Sequence, residues 1–430
     1  MRRKTQMAQL TDDCFAFGGP LMTVEDAARL MSERITPIGD SERLPLDLNE
    51  VLPLLACEGR YLAADLVAPL SLPPFANSAV DGYAVRHADL GIDQATMLPV
   101  HGRVAAGSAI HTSAAGVAVR IFTGAPMPPD ADTVFMQEDV TLKDSVVSLP
   151  VGLKRYANMR PAGEDIRAGA TALKSGQRLR PQDLAMAAAI GQSSLVVRRR
   201  LKVGVFSTGN ELIEPGTALP NAAIYDSNRI MLMSLVARTG AQAIDLGIIR
   251  DVKEDLSARL KEAAGTCDLI LTSGGVSTGE EDHVKPAVES IGSLVFWRIA
   301  IKPGRPVAMG VIDGKAFVGL PGNPVAVYVT FAFVVRPLLA RLGGGIWHEP
   351  RRIRVTSTFS YGKKTGRREF VRVGLTPRSD GGFDAAKHAR DGAGVLTSLT
   401  ETDGLIELAD DLAGVEPGDS VPFIAYGDLA

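Results

Sequence analysis

The sequence predicts a multidomain α/β plus β protein. A central open, mostly parallel α/β domain follows a helical segment interrupted by an inserted β domain, and the chain closes in a C-terminal β barrel. Three observations predict this. Between about residues 201 and 342, strand-length apolar runs alternate with helical periodicities, the βαβα texture of a parallel sheet. On both sides of that stretch, short apolar runs punctuated by Pro, Gly and Asp mark mainly β regions. Helical patterns also bracket the first β region, which therefore reads as an insertion.

In order along the chain, residues 1–20 read as a loose arm. Thr23-Val-Glu-Asp26 has the form of a capping box ahead of the helical pattern Ala27, Leu30, Met31 and Ile35. From about Leu46 the runs 61–67, 97–104, 116–122 and 134–142 read as strands. Arg180 to Ile190 turns helical and stops at Gly191. Beyond Arg198-Arg-Arg200, strands are expected at 201–206, 243–249 and 268–272. Helices are expected at 228–239, stopped by Gly240, at 253–264 and at 326–342. The last region reads as strands 353–359, 369–375, 404–408 and 421–425, a small barrel or sandwich.

The 430 residues suffice for about two to four domains with ample cores. Forty-six basic against forty-nine acidic residues give a formal charge of -3, which argues against a general nucleic-acid or membrane-surface binder. Any anion site must therefore be local. Cys14, Cys57 and Cys267 lack C-x-x-C spacing, which fits a reducing compartment and excludes a zinc ribbon. No apolar segment follows the basic start, and the apolar stretch 325–335 is too short to span a bilayer, so a cytoplasmic location is expected.

Four turns carry the chemistry. Ser273-Gly-Gly-Val-Ser-Thr-Gly279 follows a strand and leads into Glu281 and Asp282. Amides freed of side chains can wrap an anion there, and carboxylates can hold the metal that neutralises it. Ser207-Thr-Gly-Asn-Glu211 also ends a strand, where ligands bind in such sheets. Gly319-Leu-Pro-Gly-Asn-Pro-Val325 precedes an apolar helix, and Ile301-Lys-Pro-Gly-Arg-Pro306 puts two cations on one loop. Singly these also read as a tight turn, a helix start or a solvated loop. Four in one α/β unit point to a shared pocket. In the N-terminal half, residues 73–84 place Asp81 beside a glycine, a common hairpin turn, and residues 123–130 form a rigid loop. His283 has no partner at ligand spacing and reads as structural.

The ordered set of motifs resembles the molybdopterin molybdenumtransferase (MoeA) family, the molybdenum insertase of molybdenum-cofactor biosynthesis. It comprises N-S-A-V-D-G-Y-A from Asn77, T-G-A-P-M-P from Thr123, G-E-D-I from Gly163, S-T-G-N-E-L from Ser207, Y-D-S-N from Tyr225, S-G-G-V-S from Ser273, I-K-P-G-R-P from Ile301 and P-G-N-P-V from Pro321. The resemblance implies an arm (1–20), a discontinuous helical linker domain (21–48 and 160–196), an inserted β-rich domain (49–159), a molybdopterin-binding α/β domain (197–346) and a C-terminal β-barrel domain (347–430). It also implies a homodimer whose cleft joins the α/β domain of one copy to the inserted domain of the other.

The implied reaction takes adenylylated molybdopterin and molybdate as substrates, with Mg2+, places molybdenum on the dithiolene sulfurs and releases AMP. By resemblance Glu211, Asp251 and Asp282 stand at the phosphate and metal end, and Asp81, Thr123 and Asp165 approach from the partner. Ser207, Thr208, Gly209, Ser273, Gly274, Gly275, Ser277, Pro321, Gly322 and Asn323 would bind substrate. Arg298, Lys302 and Arg305 would hold oxyanions, with Arg367 and Ser398 on the molybdate side. Arg372 and the Lys363-Lys364 pair read as ordinary surface ion pairs.

Asn210, Arg298, Arg305 and Ala326 depart from residues frequent in the family, respectively aspartate, lysine, lysine and serine. Contact with an adenylyltransferase and with recipient molybdoenzymes is expected. The competing readings are the adenylyltransferase itself, which shares the α/β unit but lacks the flanking domains, and a non-catalytic pterin-binding scaffold.

Overall fold

The computed structural model describes residues 21–27, 29, 49–109, 113–276 and 283–429. The chain divides into two compact units. One is built from residues 51–58 and 62–197, the other from residues 59–61 and 198–429 with the described part of residues 21–50.

The first unit centres on a six-stranded sheet. Its strands are β1 (Gly82–Val85), β2 (Thr96–Val104), β3 (Ala118–Ile121), β4 (Thr133–Met136), β5 (Thr141–Lys143) and β6 (Val146–Leu149), in the order β4-β1-β3-β2-β6-β5. All pairings are antiparallel except β2 with β3. The expected strand 134–142 is broken by a 3-10 turn at Gln137–Asp139. Asp81-Gly82 opens β1 and closes no hairpin. Side chains alternate between two small cores, one holding Ala84, Val119, Ile121 and Val134, the other Tyr83, Val85, Ala118 and Phe135. Helix α1 (Pro181–Ala189) has proline in its first turn, where no amide partner is lost.

The second unit carries the α/β sheet. Its strands are β7 (Lys202–Thr208), β8 (Gln242–Ile249), β9 (Leu269–Ser273), β10 (Gly292–Arg298), β12 (Pro306–Ile312) and β13 (Lys315–Leu320), with the two-residue strand β11 (Ile301–Lys302) between β10 and β12. The order is β8-β7-β9-β13-β12-β10. Strands β8, β7, β9 and β13 run parallel, while β12 is antiparallel to both β13 and β10. Helices α2 (Asn228–Arg238), α3 (Lys253–Thr266) and α4 (Val284–Ile291) make the crossovers.

Both sheet faces are covered, so the strands alternate between two cores. Val203, Val205, Leu269 and Leu271 pack against α2 and the helix after β13. Phe206, Ile270 and Phe317 pack against α3 and α4. Each such side chain is fully buried, worth ~1.5–3 kcal/mol apiece. The helix after β13 runs from α5 (Pro324–Thr330) through a π turn, Phe331–Val335, into α6 (Arg336–Leu342). Pro337 has no amide to give the carbonyl four residues back, which accompanies the widened turn. The expected apolar stretch is longer than 325–335 implied: Pro324–Leu342 matches a membrane span in length and hydropathy, yet its most apolar window is 83% buried inside the fold.

The C-terminal region is a closed five-stranded barrel of β14 (Ile353–Ser357), β15 (Arg368–Pro377), β16 (Phe383–Lys387), β17 (Gly404–Leu408) and β18 (Ser420–Ala425), closed by β15 against β17. Strand β11 adds parallel to β15, pairing Lys302 with Glu369. Along β15, Val371 and Val373 enter the barrel core, while Phe370 on the other face stacks on Phe333 of the α/β domain at 4.3 Å. The N-terminal segment follows its expected cap: Asp26 N donates to Thr23 Oγ1 at 3.0 Å. Leu30, Met31 and Ile35 lie outside the described residues.

Candidate active site

The carboxyl ends of β7, β9 and β13 and one face of the barrel enclose a cavity of about 930 Å³. All four turns singled out in the sequence reach it. From the first come Thr208, Gly209 and Glu211. Thr208 is 4% exposed, and its buried hydroxyl has no hydrogen-bond partner.

The second turn contributes Gly274 and Gly275, with φ of 90° and 68°, in the left-handed region that glycine enters freely. A Cβ on Gly275 would stand 2.3 Å from Val284 Cγ2 and 2.7 Å from Thr208 Cγ2, so the close packing of strand end and helix start requires glycine. Ser277, Glu281 and Asp282 lie outside the described residues. The third turn brings Pro321, Gly322 and Asn323. One of the free amides in the first turn of α5 is already engaged, because Val325 N donates to the Ala393 carbonyl at 3.0 Å. The fourth brings Lys302 and Arg305.

Two carboxylates, Glu211 and Asp251, line the wall beside the first turn. Lys302 and Arg305 line it too, with Tyr361, Arg372 and Asp391 from the barrel region. Their charges are unequally available. Lys302 Nζ donates to Glu369 Oε2 at 3.1 Å and to Tyr361 Oη at 3.0 Å. Burial pushes the Lys302 ammonium down, but the Tyr361 and Glu369 bonds outweigh it and hold it above the usual lysine range. Asp391 is paired with Lys387 at 2.6 Å. Arg305 is exposed at the rim.

Arg372 was missed, and it corrects the surface reading. It is 6% exposed, lines the cavity, and donates to Ser398 Oγ at 3.1 Å and to the carbonyls of Arg390 (3.1 Å) and Gly392 (3.3 Å). Neutral groups thus hold a buried guanidinium in one orientation, and its desolvation lowers its pKa. The available signal was period two, since Arg372 shares a face of β15 with Phe370, away from Val371 and Val373. Lys363 is no surface ion pair either: its ammonium donates to the carbonyls of Ala409 (2.8 Å), Asp410 (3.4 Å) and Leu412 (2.7 Å).

Several predicted residues act behind the wall. Ser207 is wholly buried, donating to Asp226 Oδ1 at 3.1 Å. Asp226 in turn accepts from Arg229, which also holds Asp245 and Glu214. Ser273 is 3% exposed and accepts from Asn228 Nδ2 at 2.9 Å. Ser398 is wholly buried and orients Arg372. Arg367 Nε donates to Glu369 Oε1 at 2.7 Å, and half-buried Arg298 is not among the lining residues.

The first unit holds a separate constellation. Asp81 Oδ1 accepts from both the Thr123 amide (2.8 Å) and the Thr123 hydroxyl (2.7 Å). Those bonds, the amide first, hold the Asp81 carboxyl below its usual range. Asp165 is exposed and anchored apart from them, its amide donating to the Leu72 carbonyl at 3.0 Å.

Family models match almost end to end: the MoeA N-terminal region (domain I and II) at residues 22–191, a probable molybdopterin binding domain at 204–341 and the MoeA C-terminal region (domain IV) at 354–426. A molybdopterin molybdenumtransferase of Haemophilus influenzae is 37% identical over 392 residues, covering 90% of this chain and 96% of that protein. The chain belongs to the MoeA family.

Molybdopterin molybdenumtransferase 2 of Mycobacterium tuberculosis is also 37% identical, over 85% of this chain and 92% of its own length. Among solved structures, a molybdopterin biosynthesis MoeA protein from Pyrococcus horikoshii is 31% identical with a TM-score of 0.73, covering 94% of this chain and 99% of its own. Arg372 adds a side chain to the cavity wall, and Asn228, the last residue of the Y-D-S-N motif, supports that wall from behind.

Proposed function

We propose that this protein transfers molybdenum from molybdate onto molybdopterin in molybdenum-cofactor biosynthesis. The observation that carries the reading is the cavity itself. A buried Arg372 guanidinium held only by neutral groups lines one cavity of about 930 Å³ together with Arg305 and two carboxylates, Glu211 and Asp251. That volume suits one large ligand. An anion supplies what Arg305 and Arg372 lack.

The substrate is adenylylated molybdopterin. Molybdenum is placed on its dithiolene sulfurs, and cleavage of the phosphoanhydride releases AMP. Glu211 and Asp251 are hard oxygen donors of the kind Mg2+ takes, and they would hold it with Asp282. Bound there, the ion neutralises phosphoryl charge. Arg305 and Arg372 bind oxyanions, Gly274 and Gly275 let backbone approach the ligand, and Asn228 keeps the two turns in register. The working form is a cytoplasmic homodimer in which Asp81, Thr123 and Asp165 of a second copy complete the cleft.

The test is AMP release from pre-formed adenylylated molybdopterin with Mg2+, with and without molybdate, followed by activation of a cofactor-free molybdoenzyme. Molybdate-dependent release with activation is expected. Tight pterin binding without either overturns the reading in favour of a scaffold. Consumption of ATP on unadenylylated pterin overturns it in favour of an adenylyltransferase.

A further inference from the structure

Glu369 is fully buried at 0% exposure, yet it touches three polar side chains at once. Its Oε2 accepts from Lys302 Nζ at 3.1 Å and from Tyr361 Oη at 2.7 Å, and its Oε1 accepts from Arg367 Nε at 2.7 Å. Burial pushes this carboxyl up, and the three donors outweigh it and keep it ionised. Two cations on one carboxylate leave one net positive charge.

The arrangement is placed by the backbone. Lys302 on β11 pairs in parallel register with Glu369 on β15, where the α/β domain lends an edge strand to the barrel. Lys302 also lies over the Tyr361 ring, 5.5 Å from its centroid. An ammonium has three N–H donors. Glu369 and Tyr361 take two, so one remains for a ligand in the cavity that Lys302 lines.

We infer that Glu369 is a positioning residue: through Tyr361 and β11 it fixes Lys302 with one donor left for a tetrahedral oxyanion, so that barrel docking is part of ligand recognition. Free lysine is a flexible point charge that loses much rotamer freedom on binding. Anchoring at two points removes that loss before the ligand arrives. Arg367, held through Nε, completes the charge balance around Glu369. The reading rests on the cavity taking an oxyanion substrate, and on nothing finer about the reaction.

The test measures binding apart from turnover. Inorganic molybdate and AMP are titrated calorimetrically into the full chain, and KM and kcat are read in the insertion assay. Glu369→Gln puts an amide NH2 against two cations and frees Lys302. It should weaken at least one of the two anions by about tenfold or more and raise KM more than it lowers kcat. Glu369→Asp should recover part of the loss. Tyr361→Phe keeps the ring and removes only the anchoring oxygen, so it folds where Glu369→Gln does not, and it should raise KM about threefold or more. Loss for molybdate alone puts Lys302 on the metal oxyanion, and loss for AMP alone puts it on the phosphate. Unchanged affinities and KM in folded Glu369→Gln, or in Tyr361→Phe if the former does not fold, overturn the inference. Wild-type protein that binds anions with the predicted losses yet inserts no molybdenum overturns the proposed reaction and leaves the positioning role standing.

Discussion

Asn228 Nδ2 donates to the Gly322 carbonyl at 2.6 Å, tying the first residue of α2 to the loop ahead of α5. The same nitrogen donates to Ser273 Oγ at 2.9 Å, so one amide holds the β9 end and the 321–323 turn in register behind the cavity wall. Asn228→Ala removes both bonds and should cost ~1–2 kcal/mol of stability. Because the turns it ties both line the ligand, pterin affinity should fall several-fold in fluorescence titration, whereas a distant surface substitution of equal stability cost should leave it alone.

The same reasoning applies to Arg372, a planar donor with fixed neighbours. Arg372→Lys keeps a charge but loses the fork that reaches Ser398 and the two carbonyls. Molybdate or sulfate affinity, read by calorimetry, should drop by ~10–100-fold, a loss of ~1.4–2.8 kcal/mol. An affinity within twofold of wild type would remove Arg372 from the anion site.

Glycine at position 209 leaves room for a neighbouring carboxylate. A Cβ there would stand 2.6 Å from Glu211 Oε2. Gly209→Ala should therefore push the Glu211 carboxylate away from its place on the wall and raise the Mg2+ concentration needed for half-maximal turnover. Chelation of divalent ions should abolish turnover in wild type and variant alike. An unchanged Mg2+ requirement would separate Glu211 from the metal.

Within the first unit, Thr123 gives both amide and hydroxyl to Asp81. Thr123→Val removes one of the two bonds on a partly exposed carboxylate, so the melting temperature should barely move. Turnover should fall about tenfold or more if this pair meets substrate. Pterin binding to the α/β cavity should persist. Equal turnover would confine the pair to a structural role in its own loop.

How far the sequence reaches is clear from β15 and the turns. The glycine turns and the strands before them were legible, because parallel strands buried on both faces write continuous apolar runs, and the chain must reverse after them. The antiparallel pair β12 and β13 is absent from the expected strands, although Asp313-Gly314 between Pro306–Ile312 and Lys315–Leu320 is the two-residue hairpin signal that marks it. Within the site, residue types at the turns were readable, but charge balance was not. Lys302 and Arg367 look like two free cations in sequence, and only the fold brings Glu369 between them. Arg372 looked like a surface charge because a single strand does not announce which of its faces meets another domain.

Acid stability offers a check on the frame around this site. Asp268, just before β9, is 5% exposed and accepts two bonds from Arg199 at 2.7 Å each and one from the Lys202 amide at 2.8 Å. Burial pushes its carboxyl up, but these donors outweigh burial and hold its pKa below the usual aspartate value. A carboxyl with a depressed folded pKa contributes stability that is present above its unfolded value of ~3.9 and lost as pH falls toward the folded one. The melting temperature should therefore decline below about pH 4 in part through Asp268. Asp268→Asn removes the charge but leaves Arg199 partly buried, and should cost ~2–3 kcal/mol at pH 7. The cost should shrink as pH falls from about 4 toward the folded pKa, because the unfolded wild-type carboxyl takes up a proton there first and so erodes the wild type's advantage. A difference between variant and wild type that stays constant from pH 7 to 3 would mean that the Arg199 pair adds no pH-dependent stability and that Asp268 acts through shape alone.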